Sequence, residues 1–365
     1  MSKARQLADN GAATPNRNMV INGAMNIAQR STSVAALGAT SGYYTLDRWH
    51  LSFVGTAGRL DMTQTADGPA GFENCLKLEC KTADTSIAAT EYMSLNTYFE
   101  SQNCVRIGSG TSAAKEVTVS FYVKGNASAT YVVQLLNNNH SSYIHNNRTF
   151  AVTTAWVRHE ITFQADTTAD SAFDTGNLAG IALLFIMHAG SNYKSATLAS
   201  DWATGVTNRA TGTDSFFDST DRTFFITGVQ FEVGPSATPF EHKTFAQDLQ
   251  ECQRYFRRLP TDEDATAYAR IGNGMLYDSS SAFITIPLSP PMRTSAAASI
   301  NGTLKIQVAA NADCTVTGVA AVAANNSRTA FYADFTCDAN GTAGHGCGLN
   351  RENDADASLD LEAEL

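Results

Sequence analysis

Val117 to Lys124 alternates strictly. Val117, Val119, Phe121 and Val123 take one set of positions, and Thr118, Ser120, Tyr122 and Lys124 take the other. A period of two lines up the apolar side chains on one face of a strand, which no helix does. Gly125-Asn126 then turns the chain, and Tyr131 to Leu136 reads as the returning strand of a hairpin. The pattern recurs from Trp156 to Phe163, with Trp156, Arg158, Glu160 and Thr162 on one face and Val157, His159, Ile161 and Phe163 on the other. Gly180 to Met187 is apolar without a break, as a central strand covered on both faces would be. Phe224 to Val233 reads as a closing strand, stopped by Gly234-Pro235. In the last third Phe283–Leu288, Leu304–Val308, Thr315–Val319 and Leu359–Leu365 repeat the signal. Short strands with turns roughly every ten residues predict an all-β protein built from sandwiches.

One helix interrupts this pattern. Over 244–259, Phe245, Leu249, Cys252, Phe256 and Leu259 recur at helical spacing. Thr244 and Gln247 have the spacing of a capping box. Asp248 and Glu251 lie early and Arg254, Arg257 and Arg258 late, as the helix dipole favours, and Pro260 would end the helix. Phe245, Leu249, Cys252 and Phe256 then form one apolar stripe. Such a stripe packs on its own domain or forms a short oligomer seam. The predicted organisation is an exposed arm over 1–16, a jelly-roll sandwich over 17–243, the helix over 244–259 and a smaller sandwich over 260–365. The arm would dock on a neighbouring protein or fray. Thr261-Asp-Glu-Asp264 reads as a linker.

Composition narrows the function. Charged residues are 16%, below the ~25% usual in soluble domains, while 43% apolar content is ample for a core. A net charge of −10 argues against nucleic acid and anionic membranes as partners. No apolar run is long enough to span a bilayer. The first ten residues lack the apolar centre of a signal peptide, so synthesis in a cytoplasm is expected. Seven cysteines without framework spacing suit reduced thiols. On a strand, Leu76, Leu78 and Cys80 would face inward and Cys75 outward.

Catalytic signatures are missing. The sequence has no Cys-x-x-Cys, His-Glu-x-x-His, Gly-x-Ser-x-Gly or phosphate-binding Gly-Lys-Thr loop. One polar stretch suggests binding instead: Asn137, Asn138, Asn139, His140, Tyr143, His145, Asn146 and Asn147 crowd into eleven residues. Asn amides can bridge paired sugar hydroxyls, and an aromatic ring can stack on a sugar's apolar face. The same residues also suit a solvated turn. Two acidic loops, Asp166, Asp170, Asp174 and Asp214, Asp218, Asp221, offer carboxylates to calcium, without EF-hand spacing. Solvated loop acids are the alternative. No other cofactor is expected. Asp47-Arg48-Trp49 reads as packing, with Trp49 in the core and Arg48 along it.

Two blocks of sequence carry a family resemblance. The first is Asn18-Met-Val-Ile-Asn-Gly-Ala-Met-Asn-Ile-Ala-Gln-Arg30 with Tyr44-Thr-Leu-Asp-Arg-Trp49. The second is Ile226-Thr-Gly-Val-Gln-Phe-Glu-Val-Gly-Pro235 with Thr238-Pro-Phe-Glu241 and Asp248-Leu-Gln-Glu-Cys-Gln-Arg-Tyr-Phe256. With Val119–Gly125, Thr154–Arg158, Pro290–Arg293 and Glu362–Leu365, the chain resembles bacteriophage tail-fibre and related virion structural proteins. That resemblance implies a jelly-roll domain similar to carbohydrate-binding modules, assembly as a homotrimer, and a place on the tail or particle surface. The expected partners are copies of itself, neighbouring virion proteins through the arm, and a host-surface glycan. A purely structural decoration or adaptor role is the alternative, and a glycan depolymerase a further one. The motifs supply no catalytic residues.

Overall fold

A computed structural model describes residues 16–260, 267–308, 313–321, 326–338 and 341–365. The expected arm, apart from Asn16, and the linker after Pro260 lie outside them. The chain divides into two compact units, one extending to Asp248 and one running Leu249–Glu364.

The first unit contains β1 (Ser33–Leu37), β2 (Gly42–Tyr43), β3 (His50–Val54), β4 (Arg59–Thr65), β5 (Cys75–Thr82), β6 (Tyr92–Glu100), β7 (Val117–Gly125), β8 (Ala129–Asn137), β9 (Ile144–Val152), β10 (Val157–Phe163), β11 (Ala179–Ala189) and β12 (Thr223–Val233). They form two six-stranded sheets, ordered β1-β4-β5-β12-β7-β10 and β2-β3-β6-β11-β8-β9. This is a jelly-roll sandwich. Val117, Val119, Phe121 and Val123 all lie in the core between the sheets, as their alternation requires.

The expected hairpin does not form. β7 pairs with β10 and β12, whereas β8 pairs with β9 and β11 in the other sheet. The turn after Gly125 carries the chain across the sandwich. Alternation shows which face of a strand is buried but not which strand is its neighbour, and here the neighbour arrives about a hundred residues later.

β11 is covered on both faces. Ile181, Leu183, Phe185 and Met187 enter the main core. Ala182, Leu184 and Ile186 meet a second apolar cluster with Tyr193, Leu198 and Ala210 from the crossover that follows. Leu76, Leu78 and Cys80 point into the core as expected. Cys75 is a correction: it lies on the other face of β5 but is fully buried.

The two signature blocks meet in the first unit. Asn18 Oδ1 accepts from Val20 N and Phe231 N, and its amide donates to Val229 O. Glu241 takes the backbone amides of Asn16 and Asn18 at 2.8 and 2.7 Å, and its own amide donates to Gln230 Oε1. Asn22, in a left-handed conformation at φ 57°, donates its side-chain amide to Ile27 O and Asp47 O and accepts from Ile27 N. Its carbonyl takes the Trp49 indole N–H, and its backbone N–H reaches Asp248. Trp49 and Arg48 are both buried, and Arg48 donates to Tyr98 O. Gly228 sits at φ 61° in the break of register between β12 and β7, and a Cβ there would lie 2.7 Å from the Phe72 ring. The signature is therefore a hydrogen-bonded clasp joining the start and end of the sandwich.

Helix α1 (Phe245–Gln253) starts with the expected capping box. Thr244 N donates to Gln247 Oε1 and Gln247 N to Thr244 Oγ1. It is shorter than predicted. Phe256 to Leu259 leaves it as strand β13 (Phe256–Leu259) and pairs with Glu362 to Leu359, so long-range pairing overrides the local period.

The second unit continues with β14 (Arg270–Leu276), β15 (Ser281–Pro287), β16 (Ala297–Asn301), β17 (Leu304–Val308), β18 (Cys314–Ala321), β19 (Ala330–Cys337), β20 (Gly346–Arg351) and β21 (Ser358–Glu362). The predicted strands are present, but their arrangement differs from the expected second sandwich. β14-β15-β19-β18-β17-β20 close into a barrel, and β13-β21-β16 form a separate sheet. β20 pairs with both β14 and β17, so no barrel edge is left open. Gly274 lets β14 and β15 approach closely, since a Cβ there would sit 1.8 Å from Phe283 O.

Candidate functional site

Most of the Asn-rich stretch is structural. His145, Asn146 and Asn147 lie within β9 and are fully buried. Asn147 donates to Ala199 O and accepts from Gln134, and Asn146 accepts from Arg148. Burial drives the His145 imidazole below its usual range, and its Nε2 meets Gly205 O at 2.9 Å. Asn137 is buried and donates to Ser171 O and Asp166. Asn139 accepts from Ser101, and His140 Nδ1 accepts from Ser142 N. Asn138 is half-buried, and Tyr143 stands 60% exposed at the tip. The structure thus separates the eight residues into a buried network and a small tip carrying one ring.

The acidic loops do not converge. Asp166 is buried against Asn137 and Thr168 N, Asp174 caps Gly176 N, and Asp170 is exposed. Asp214 caps Thr130 N, Asp218 pairs with Arg222, and Asp221 is exposed. Among the described residues, neither loop brings three ligand atoms within 4.8 Å of one another. The helix stripe is also divided. Phe245 is 57% exposed and Leu249 half-buried, while Cys252 and the strand residue Phe256 are buried in the single chain.

A different surface, on the outer face of the barrel, has the chemistry of a binding site. Inward residues of β15, Ala282, Ile284 and Ile286, fill the barrel core, so Phe283 and Thr285 must face outward. Register places Met275 and Asp334 on either side of Phe283, and Tyr332 opposite Thr285. Phe283 and Tyr332 stack with ring centroids 5.5 Å apart and planes 18° from parallel. Tyr277, at the end of β14, adds a third ring 5.3 Å from Phe283 and is 66% exposed. Met275 is 52% exposed beside it.

Polar groups border these rings. Among the described residues, the buried Asp334 Oδ1 has no hydrogen-bond partner. Burial, then the nearby charge of Asp278, raises the Asp334 carboxyl above its usual range. Asp278, in the turn after Tyr277, has the opposite environment: Ser280 N and other donors around the carboxylate lower it. The arrangement offers flat rings for an apolar ring face, with the half-buried Asp334 side chain and exposed Thr285 at their border.

Sequence reading missed this face because its rings come from three strands. One signal was present: Phe283 opens an alternating strand in the phase opposite to Ile284, Ile286 and Leu288.

No known family profile matches the chain, and no curated protein matches it. Among solved structures, it is similar to a CBM4 structure at 14% identity, covering 59% of this chain and 99% of that one, with a TM-score of 0.32. It is similar to the family 11 carbohydrate-binding module of a cellulosomal cellulase from Clostridium thermocellum at 12% identity, covering 57% and 99%, with a TM-score of 0.28. It is also similar to the enzymatically active domain of tailspike protein 4 from bacteriophage CBA120 at 10% identity, covering 60% and 22%, with a TM-score of 0.30.

Proposed function

We propose that this chain is a non-catalytic bacteriophage virion protein, carried on the tail or particle surface, that contributes to recognition of a host-surface glycan. The observation that carries the glycan reading is the ring cluster of exposed Tyr277 with half-buried Phe283 and Tyr332, bordered by the Asp334 carboxylate. A pyranose presents apolar C–H groups on one face and hydroxyls at its rim, which match stacked rings bordered by a carboxylate. The virion reading is supported by the two signature blocks. Repeated copies on a particle would turn weak single-site binding into useful avidity.

The test is binding of the purified full chain to host cells and to an array of bacterial surface glycans. Tyr277→Ala and Tyr332→Ala should each weaken binding with the far-ultraviolet spectrum unchanged. If both variants bind as the parent does, the ring face is not the contact. Solution mass distinguishes a homotrimer from a single chain, and a clean monomer removes the trimer.

One observation favours a second reading. Asp334 and Asp278 border the same rings and their environments push their acidities apart, as in an acid and base pair. Release of reducing ends from host polysaccharide, lost in Asp334→Asn, would make the chain a depolymerase.

A further inference from the structure

Three ionisable side chains meet inside the first unit, away from both the ring face and the acidic loops. Asp84 follows β5, Glu91 immediately precedes β6, and His188 lies in β11. One ligand atom from each lies within 4.8 Å of the others. They are 5%, 6% and 0% exposed. His188 Nε2 is 3.3 Å from Glu91 Oε2, a separation suited to adjacent ligands on a small ion, whose donors bind at about 2.0–2.2 Å.

Charge makes the cluster unusual. Two carboxylates and one imidazole leave at least one negative charge whenever both acids are ionised. Among the described residues, no lysine or arginine forms an ion pair with Asp84 or Glu91. A buried charge is costly unless a counter-charge or metal offsets it. Asp84 Oδ2 already accepts from Thr56 Oγ1 at 2.9 Å and Ala57 N at 2.8 Å, which suits an ionised oxygen.

The imidazole is also held in place. The register of β11 against β6 shifts between Ile186 and His188, a bulge of the kind that re-aims a side chain. His188 Nδ1 lies 2.8 Å from Ser215 Oγ, and Ser215 Oγ accepts from Phe217 N. The Phe217 ring packs edge-on at 5.3 Å. An imidazole fixed through one nitrogen, with the other turned toward carboxylates, is the usual arrangement of a metal-bound histidine.

We propose that Asp84, Glu91 and His188 bind one divalent transition ion. A single imidazole with two carboxylates suits manganese or zinc better than calcium. Burial makes the ion a structural staple. It ties the connection between β5 and β6 to the C-terminal end of β11.

Manganese is the better probe, because the thiols of Cys314 and Cys337 in the barrel would take zinc and have little affinity for manganese. The full chain is stripped with chelator, dialysed and titrated with MnCl2 at micromolar concentration, with free ion followed by its paramagnetic resonance signal. One tight site per chain is expected. Glu91→Gln and His188→Gln should each weaken it by at least about a hundredfold, while tryptophan fluorescence shows that the sandwich remains folded. Asp84→Asn serves if either variant unfolds. A free-ion signal that never falls, or manganese binding unchanged in the folded variants, overturns the proposal. Equal retention by calcium overturns the assignment to a transition ion.

Discussion

Asn22→Ala tests whether the sequence signature is a structural clasp. The alanine removes two donors' worth of amide bonds, to Ile27 O and Asp47 O, and the acceptor of Ile27 N. Asn22 is fully buried, so water cannot replace these partners without opening the loop. Each buried group left unpaired costs about 1–3 kcal/mol. The left-handed backbone at φ 57° adds about 1 kcal/mol for alanine, which lacks asparagine's local hydrogen bonding. Allowing for partial relaxation, the loss is about 3–5 kcal/mol, a large part of the ~5–15 kcal/mol that holds a typical domain. For a unit of this size that lowers the melting temperature by about 6–20 °C. Trp49, Trp156 and Trp202 all lie in the first unit, so tryptophan fluorescence follows its unfolding separately. Asn74→Ala, which removes one half-buried bond to Asn26, is the control and should cost about 1 kcal/mol or less. If Asn22→Ala melts within about 2 °C of the parent, the clasp contributes little and the account of the signature fails.

Three further outcomes are expected. Gly228→Ala should destabilise the same unit by about 2 kcal/mol or more, because a Cβ at φ 61° meets the Phe72 and Tyr122 rings; an unchanged urea midpoint would show that the bulge tolerates a side chain. Burial raises the Cys75 and Cys80 thiols from 9.0 to about 11. The unfolded chain therefore ionises first: stability from these thiols is intact below pH 9 and is lost as pH rises toward 11. The urea midpoint should fall over that window, less so in the Cys75→Ala, Cys80→Ala double variant; an equal fall in both would place the cause elsewhere. Because the loop acids cap turns and strand ends without converging, adding calcium chloride to the chelator-stripped chain should leave the melting temperature in place, and a clear rise, kept in Glu91→Gln, would restore calcium to one of those loops.

Much of the fold was legible from the chain. Alternation in β7, the unbroken apolar run of β11 and the capping box of α1 each follow from local period or local hydrogen bonding. These signals depend only on neighbours within a few residues. Strand pairing does not, which is why Tyr131 to Leu136 suggested a hairpin partner for β7 and instead joined the opposite sheet. The same limit hid the end of α1. Phe256 and Leu259 fit a helical stripe, but pairing with Glu362 and Leu359 decides their conformation.

The candidate sites show the same division. Composition singled out Asn137 to Asn147 as a polar stretch, yet most of its amides are consumed inside the sandwich. Residue type gives the capacity to hydrogen-bond, not the partner. Tyr277, Phe283 and Tyr332 become one surface only when β14, β15 and β19 align, and Asp84, Glu91 and His188 meet across about a hundred residues of chain. The sequence by itself determined an all-β protein with one short helix, because period and turn chemistry are local. Tertiary structure alone decided sandwich against barrel, which rings share a face and which charges are buried together, because each depends on long-range register that closes only when the whole sheet forms.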